Sequence, residues 1–371
     1  MIYLDCAATS LQKPYAVGEA VSRALGVLSS PGRGGYRSAM DAAEVLLDCR
    51  ERAAALFSVP NPEQVVFTSS ATHGLNIAIK SLVGPGDRVV ISGYEHNAVT
   101  RPLHGLGAEI ITAASPLFSP EAAVEAFRRA LPGARAAVVC HVSNVFGYIL
   151  PLGEIAALCR AEGIPLIVDT SQSAGCVPLD FAALGCAFAA MPGHKGLMGP
   201  QGTGVLLCGD ERVRPLLEGG TGSESLRQDM PAWLPDRLEA GTHNMPGIAG
   251  LLAGMDWIKE RDIGEILRHE RRMCRYAAEL LRSVPGIRLF ESPQEELQTG
   301  VLSLQIGDLD CEDAARRLGE QGVAVRAGLH CAPLAHRTAG TLERGTVRLS
   351  FSHFTTEREV EKAAEIIAGL R

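Results

Sequence analysis

Residues 134–175, ARAAVVCHVSNVFGYILPLGEIAALCRAEGIPLIVDTSQSAG, contain two short apolar runs on either side of a segment with helical periodicity. The runs ARAAVVCHVS and PLIV predict buried strands, because small and branched apolar residues follow one another without polar alternation. The intervening LGEIAALCRAEG predicts an amphipathic helix that ends at Gly163. A strand, a helix and a second strand in this order join parallel strands of one sheet. The stretch therefore predicts an α/β fold with a mostly parallel sheet and helices on both faces.

The same alternation extends on both sides of this unit, from QVVFTS near residue 65 to GTGVLLCG near residue 205. After about residue 245 it gives way to a long helical region in two pieces, followed by short strands and helices. A chain of 371 residues has the length expected for two domains. We predict a large domain of residues 14–245 and a smaller α+β domain of residues 246–371. The opening strand IYLD, within residues 1–13, is expected to join the smaller domain.

Composition and charge exclude several classes of protein. Hydrophobic residues make up 46% of the chain, the net charge is −7, and Lys and Arg form no long run. We therefore expect no nucleic acid or membrane as a partner. The ten cysteines include no CxxC pair, so no metal site is expected and the thiols are predicted to be free. No apolar run reaches the length of a membrane span and the N-terminus lacks a signal-peptide pattern, which together predict a cytoplasmic protein.

Two charged side chains follow neighbouring strands of the predicted sheet. Asp169 comes directly after PLIV, and Lys195 follows the next short strand in the flexible stretch MPGHKGLMGPQGTG. In parallel α/β sheets, ligands bind beyond the carboxyl ends of the strands. Taken singly, Asp169 could cap a helix and Lys195 could be an exposed loop lysine. Together, a lysine and a carboxylate in one crevice are what pyridoxal 5′-phosphate (PLP) requires, the lysine as covalent anchor and the carboxylate at the pyridine nitrogen.

The segment TSSATHGLN supplies hydroxyls directly before a predicted helix. Ser69, Ser70 and Thr72, with the free amide groups of the helix N-terminus, suit a phosphate group. Simple N-capping of the helix explains the same residues equally well.

The chain resembles the class V aminotransferases of the cysteine desulfurase and selenocysteine lyase family. The resemblance is carried, in order along nearly the whole chain, by IYLDCAATSLQKP, FTSSATHGLN, EHNAV, HVSNVFG, VDTSQSAG, GHKGLMGPQGTG, GGTGSES, EAGTHN, RAGLHCAP and VRLSFSHFTT. It implies a PLP fold-type I enzyme with a seven-stranded large-domain sheet, acting as a homodimer. It also implies the reaction: L-cysteine is converted to L-alanine, and its sulfur is transferred to a cysteine of the enzyme as a persulfide.

Residue roles follow from the matching motifs. The resemblance implies that Lys195 carries the cofactor, Asp169 pairs with its pyridinium and Gln172 donates to its phenolic oxygen. His96 would stack on the ring and relay protons. The phosphate would be held by four further residues, namely Ser70, Thr72, His194 and, from the partner subunit, Thr242. The substrate side of the pocket would be formed by Asn144, Arg348 and Arg326. Asn144 and Arg348 would bind the carboxylate, Arg348 through its planar guanidinium.

Cys331 in RAGLHCAP is the residue that would attack the substrate sulfur. Arg326 and His330 are nearby cations that would lower the pKa of its thiol. Because the loop is short, we expect a separate sulfur-acceptor protein to dock near Cys331, or selenocysteine to be the true substrate.

Several positions depart from the pattern of the family. Ala71 and Pro192 replace hydroxyl residues at the phosphate, Val99 replaces an asparagine, and Cys6 and Tyr36 alter the substrate side. The alternatives to a desulfurase are a selenocysteine lyase or another C–S β-lyase of the same fold, and a non-catalytic scaffold that binds PLP. Retention of both the lysine and the aspartate speaks against the scaffold. A glycine-rich nucleotide binder is weakly supported, since no GxxxxGK[ST] motif occurs.

Overall fold

The computed structural model describes residues 1–32 and 34–370. Its strands, in chain order, are β1 (Ile2–Tyr3), β2 (Val65–Thr68), β3 (Arg88–Ser92), β4 (Glu109–Ala113), β5 (Ala136–Cys140), β6 (Leu166–Asp169), β7 (Phe188–Pro192), β8 (Gly204–Cys208), β9 (Ile287–Phe290), β10 (Val301–Ile306), β11 (Val323–Ala324), β12 (Arg326–Gly328) and β13 (Thr346–Ser350).

The helices are α1 (Tyr15–Val27), α2 (Arg37–Phe57), α3 (Ala71–Leu82), α4 (Asn97–Gly105), α5 (Pro120–Ala130), α6 (Leu152–Ala161), α7 (Phe181–Leu184), α8 (Met245–Arg261), α9 (Ile263–Arg282), α10 (Cys311–Glu320), α11 (Pro333–Thr338) and α12 (Glu357–Ala368). The long helical region after residue 245 is indeed split in two. The break lies at Asp262, which has a positive φ of 69° and caps α9 by accepting hydrogen bonds from the amides of Gly264 and Glu265.

The large sheet has seven strands in the order β2-β8-β7-β6-β5-β3-β4. The pairs β7–β6, β6–β5, β5–β3 and β3–β4 are parallel, whereas β8 runs antiparallel to both of its neighbours. This confirms the predicted fold class, a mostly parallel seven-stranded α/β sheet. Because six strands, all except β8, point the same way, their carboxyl ends and the polar residues that follow them lie along one edge.

Helices cover both faces of this sheet, as alternate residues of single strands show. Val90, Val139 and Val168 pack in one core with residues of α2, α5, α6 and α8. Their neighbours Val89, Val138 and Ile167 pack in a second core with α3 and α4. Burial on both faces explains why these strands are uninterrupted apolar runs.

The C-terminal part forms its own antiparallel sheet, β12-β13-β10-β9, with a separate core that includes α9, α10 and α12. The opening strand β1 pairs in parallel with β11, so the N-terminus does join the C-terminal part. The stretch VAVRAG is divided at Val325 into β11 and β12, because its two ends pair with different sheets. The domain limits of 14–245 and 246–371 stay a prediction. Among the described residues, no helix combines the length and the apolar character that crossing a membrane requires.

Candidate functional site

A cavity of about 110 Å³ lies at the carboxyl edge of the large sheet. Its lining includes eight of the residues that the sequence predicts at the site, namely Ser70, Thr72, His96, Asn144, Asp169, Gln172, His194 and Lys195. Ala71 and Pro192, where the family pattern has hydroxyls, also face it. Residues from the ends of β2, β3, β5, β6 and β7 therefore converge on one space, as the parallel topology requires.

Two glycines explain how the lysine and the aspartate come to share this cavity. Gly175 ends the turn that follows Asp169, and Gly196 follows Lys195 in the next loop. A Cβ on Gly196 would lie 2.3 Å from the carbonyl oxygen of Ala174, and one on Gly175 would lie 2.4 Å from that of Gly196. Gly175 also has a φ of +82°, a conformation that residues with side chains rarely adopt. The two loops thus pack backbone against backbone, which only glycine permits.

Lys195 is half-buried and lines the cavity. Desolvation lowers its pKa to about 8, although the Asp169 carboxylate opposes this shift, and Arg348 and Arg326 add to it. A lysine with such a pKa has a substantial neutral fraction near physiological pH, and the neutral amine is the form that attacks a carbonyl group. Asp169 itself is only 4% exposed, and its Oδ1 accepts a hydrogen bond of 2.9 Å from the Ser171 amide. That bond orients the carboxylate inside the turn after β6.

His96 caps α4 with its ring. Its Nδ1 accepts a hydrogen bond of 3.0 Å from the Ala98 amide, so the proton of the neutral ring resides on Nε2. Burial lowers the pKa of His96, and the nearby Asp169 carboxylate partly offsets this. The ring is therefore neutral near pH 7 and carries one proton that it can donate.

Glu95, which the sequence analysis did not single out, fixes the turn that presents His96. It is fully buried, and its Oε1 accepts hydrogen bonds from the Ser92 hydroxyl at 2.5 Å and the Cys140 amide at 2.8 Å. Burial raises the pKa of Glu95 to about 8. The carboxyl group ties the end of β3 to the end of β5, next to Asp169. In the sequence, the only sign of this role is that Glu95 directly precedes His96 in the motif EHNAV.

The residues predicted at a phosphate group surround the start of α3. The Ser70 side chain caps this helix by accepting from the His73 amide, and the first two residues of α3, Ala71 and Thr72, line the cavity with amides that have no partner within the helix. His194 lies opposite, where its Nδ1 is 3.0 Å from the Thr9 hydroxyl. Burial, with Lys195 and Lys13 nearby, lowers the pKa of His194 to about 4. A neutral histidine, hydroxyls and helix amides together fit an anion.

Thr242 does not line the Lys195 cavity. It is exposed in an adjoining open cavity of about 550 Å³, which also borders Ser70 and Thr72.

The N-terminal segment lies across the loop that carries Lys195, a contact that the sequence did not reveal. Gln172 Nε2 donates to the Ala7 carbonyl at 3.0 Å, so one of its two N–H groups is already used. The Ser10 hydroxyl contacts the carbonyl of Lys195 at 3.2 Å, and Lys13 Nζ donates to Ser10 at 2.8 Å. These bonds hold the Lys195 loop from its outer side.

Arg348 is almost fully buried, with 1% of its surface exposed, and lies on β13 behind the cavity. Its Nη2 pairs with Asp5 Oδ1 at 2.8 Å, and its Nη1 donates to the Asn144 carbonyl at 2.8 Å. Its Nε has no hydrogen-bond partner among the described residues. Asp5 is thus a residue of the site that the sequence analysis missed, although it lies in the IYLDCAATSLQKP motif.

Cys331 is exposed and lies outside the cavity, in the loop between β12 and α11. The loop is fastened to the site at two points. The Asn97 amide donates to the Cys331 carbonyl at 2.8 Å, and Asn144 Nδ2 donates to the His330 carbonyl at 2.8 Å. Arg326 Nη2 lies 3.9 Å from the Cys331 sulfur.

The prediction that His330 is a cation beside the thiol is wrong. Burial lowers the pKa of His330 to about 2, and the Arg348 charge adds to this effect, so the ring is neutral. Arg326 is the cation that the structure places at Cys331.

The remaining departures from the family pattern have separate locations. Cys6 lines a small space of about 40 Å³ that reaches Lys195 from the side of the C-terminal part. Tyr36 is exposed at the start of α2 and does not border the Lys195 cavity, and Val99 is buried in the core beside α3.

Comparison with known proteins shows which family has a sequence similar to that of this chain. The model of the family described as aminotransferase class-V matches residues 2–363. A probable cysteine desulfurase from Methanothermobacter thermautotrophicus is 31% identical, over 100% of this chain and 95% of the relative. A cysteine desulfurase from Klebsiella pneumoniae (strain 342) is 34% identical, over 100% of this chain and 93% of the relative.

A solved structure shows the same fold. The apo structure of a cysteine desulfurase from Thermococcus onnurineus NA1 superimposes with a TM-score of 0.92 at 30% identity, covering 100% of this chain and 94% of that one. With its family model, its relatives and its fold in agreement, this chain belongs to the class-V aminotransferase family.

Proposed function

We propose that the protein is a PLP-dependent cysteine desulfurase, which converts L-cysteine to L-alanine and transfers the sulfur to Cys331 as a persulfide. The observation that carries this proposal is that Lys195 and Asp169 line one cavity together with the capped start of α3. Of two relatives that cover the whole chain, one is named a probable cysteine desulfurase and the other a cysteine desulfurase, which supports the same reaction.

The residues of the cavity fit the cofactor. The Lys195 amine, with its pKa of about 8, suits a covalent bond to an aldehyde, and Asp169 suits a protonated ring nitrogen. The start of α3 suits the phosphate, aided by Ser70, Thr72 and His194. Bound there, PLP would supply an electron sink for cleavage of the bonds at the substrate's α- and β-carbons. His96, with its proton on Nε2, would donate that proton within the site.

Substrate binding would rest on Arg348. Two sides of its guanidinium are held by Asp5 and Asn144, and the N–H of the buried Nε remains to donate to a carboxylate oxygen. A buried donor without a partner costs free energy, and a substrate carboxylate would relieve that cost. Asn144 would act from the second N–H of its amide, since the first is used by His330.

Cys331 would receive the sulfur. Its thiolate attacks the substrate sulfur, so that an S–S bond forms as the C–S bond breaks, and alanine leaves after its carbon is protonated. Arg326, 3.9 Å from the sulfur, would stabilise the negative charge of the thiolate and of the persulfide. Because the loop from Gly328 to Pro333 is short and Cys331 is exposed, we propose that a separate acceptor protein collects the sulfur there.

The active form is proposed to be a homodimer. Large apolar side chains on α1 and α2 are exposed, with Tyr15 at 81%, Leu25 at 72% and Met40 at 62%, and a second subunit would cover such surface. Thr242 would then reach the phosphate of the partner's site. All ten cysteines are free in the described residues, which suits a cytoplasmic location.

The test combines two variants with a matched control. In purified protein loaded with PLP, Lys195→Ala should lose the visible absorption band of the lysine-bound cofactor while its melting temperature is retained. Lys259→Ala, which removes an exposed lysine of α8, should keep both the band and the activity.

Cys331→Ala should lose alanine release from cysteine. If it retains release from selenocysteine, whose selenium leaves more readily, the chain also acts as a selenocysteine lyase. Full activity of Cys331→Ala on cysteine would remove Cys331 from the reaction. Retention of the band in Lys195→Ala would refute the cofactor assignment.

A further inference from the structure

Two buried histidines lie directly behind Cys331, and the proposed reaction assigns a role to neither. His330 is 4% exposed and His336, on α11, is 0% exposed. Their rings lie edge to edge and nearly in one plane, with centroids 5.6 Å apart and an angle of 12° between the planes. Burial lowers the pKa of His330 to about 2 and that of His336 to about 4, so both rings are neutral.

Hydrogen bonds link these rings into a chain from a threonine to a backbone carbonyl. Thr341 Oγ1 lies 2.8 Å from His336 Nδ1, and His336 Nε2 lies 3.3 Å from His330 Nδ1. His330 Nε2 then lies 3.4 Å from the carbonyl oxygen of Arg326.

The Arg326 carbonyl oxygen decides which atom donates in each of these hydrogen bonds. A carbonyl oxygen only accepts, so His330 carries its proton on Nε2 and its Nδ1 must accept. His336 must therefore donate from Nε2, which leaves its Nδ1 to accept from the Thr341 hydroxyl. In this arrangement every ring nitrogen of the two neutral histidines has a partner.

The backbone at His330 and Cys331, which these hydrogen bonds support, is strained. His330 and Cys331 have φ angles of 52° and 55°, so two consecutive residues with side chains occupy the left-handed region. Such residues persist only where their surroundings hold them. The carbonyls of both residues are already fixed by Asn144 and Asn97, and the histidine chain fixes the side chain of the first.

We propose that Thr341 and His336 are positioning residues, which act through His330 to hold the Cys331 loop in the conformation that receives sulfur. This inference rests on the proposed function, because it gives Cys331 the role of sulfur acceptor.

The test uses pairs of variants that change the hydrogen bonds while conserving side-chain size. Thr341→Val removes the hydroxyl donor, and Thr341→Ser restores it. His336→Met removes the N–H that faces His330, and His336→Gln restores a donor at the same distance along the side chain. His104→Gln, at an exposed histidine of α4, serves as the control.

Three quantities are measured on PLP-loaded protein: the visible band of the lysine-bound cofactor, the melting temperature, and the rate at which the Cys331 peptide gains one sulfur after mixing with cysteine. Thr341→Val and His336→Met should slow sulfur gain about tenfold or more, because a small misplacement of a reacting group has a large kinetic effect. Their visible band should be unchanged. Thr341→Ser, His336→Gln and His104→Gln should stay within about threefold of the parent protein.

Sulfur gain at the parent rate in Thr341→Val would overturn the inference. A loss of sulfur gain in all four variants that parallels their melting temperatures would also overturn it, since side-chain volume would then be responsible. Failure of the proposed function is recognised separately, because Cys331→Ala would then keep its full activity on cysteine.

Discussion

The chemistry of the site depends most on the environment of one amine. Lys195 lines a cavity with Asp169, and its pKa is set by desolvation acting against the attraction of Asp169. An ordinary lysine has a pKa of about 10.4 and is almost entirely protonated near neutral pH. The fold therefore prepares this amine for covalent chemistry before any cofactor binds.

The pH dependence of cofactor uptake should report this preparation. Because the folded-state pKa of Lys195 is lowered to about 8, the reactive neutral amine predominates above that pH and is lost below it. The rate at which the visible band forms on mixing apoprotein with PLP should rise with pH and level off above about 8.

Asp169→Asn provides the control for this measurement. The Asp169 carboxylate raises the pKa of Lys195. The neutral amide of the variant does not, so the midpoint of the rise in rate with pH should move to lower pH. If the rate for the parent protein continues to rise with pH up to the pKa of a free lysine, the lowered pKa of Lys195 is contradicted.

The segment EAGTHN is placed by a buried ion pair between a loop and a helix. Arg50 on α2 donates from Nη1 to Glu239 Oε1 at 2.8 Å and from Nη2 to Oε2 at 2.5 Å, and His243 Nε2 lies 2.7 Å from Oε2. The Phe67 amide also donates to Glu239. Burial alone would raise the pKa of Glu239, but the hydrogen bonds from His243 and Arg50 lower it overall. This network sets the position of Thr242 beside the start of α3.

Glu239→Gln should destabilise the protein by about 3 kcal/mol, because it leaves the buried Arg50 charge without its partner. Loss of stability is measured as a lower midpoint of thermal or urea unfolding. Glu320→Gln, which breaks an exposed ion pair with Arg316 on α10, should cost less than about 1 kcal/mol.

The pH dependence of the same network follows from the direction of its pKa shift. The folded-state pKa of Glu239 lies below the unfolded value, so its contribution is present above that unfolded value and is lost as the pH falls through the folded one. The stability difference between the parent protein and Glu239→Gln should therefore shrink in acid. If the stability difference between the parent protein and Glu239→Gln is the same at all pH values, it does not come from the ionised Glu239 carboxylate.

Thr242, which is predicted to bind the phosphate, lies outside the Lys195 cavity. Thr242 is exposed on the open side of the start of α3, and the apolar surface of α1 and α2 is uncovered. In the proposed homodimer, we expect the Thr242 segment of each subunit to reach the other subunit's site.

Mixing two inactive variants tests this arrangement. Lys195→Ala and Thr242→Ala should each lose most of their activity. After subunit exchange at equal concentrations, about one quarter of the parent activity should return, because half the dimers are mixed and each has one intact site. If Thr242 serves its own subunit, the mixture stays inactive, since no dimer then contains an intact site. Size-exclusion chromatography before and after exchange verifies that both variants are dimers.

Most of the large sheet was predictable because its signals are local. Buried parallel strands are apolar throughout, and the residues that leave their carboxyl ends are polar, so Asp169 and Lys195 could be assigned to one edge from their positions alone. Two long helices, α1 and α2, were not predicted, and neither was the division of VAVRAG between two sheets. Pairing between distant strands decides that division, and no short stretch of sequence contains this information.

The fold class, the family and eight of the residues that line the Lys195 cavity could be predicted from the amino-acid sequence, because each depends on hydrophobic periodicity or on a contiguous motif. The tertiary structure alone decided which of these groups are charged and which are already bonded. It neutralised His330 through burial, paired Arg348 with Asp5, and joined Thr341 to the Cys331 loop through two histidine rings. Charge and hydrogen bonding depend on solvent exclusion and on partners from remote parts of the chain, and both exist only after folding.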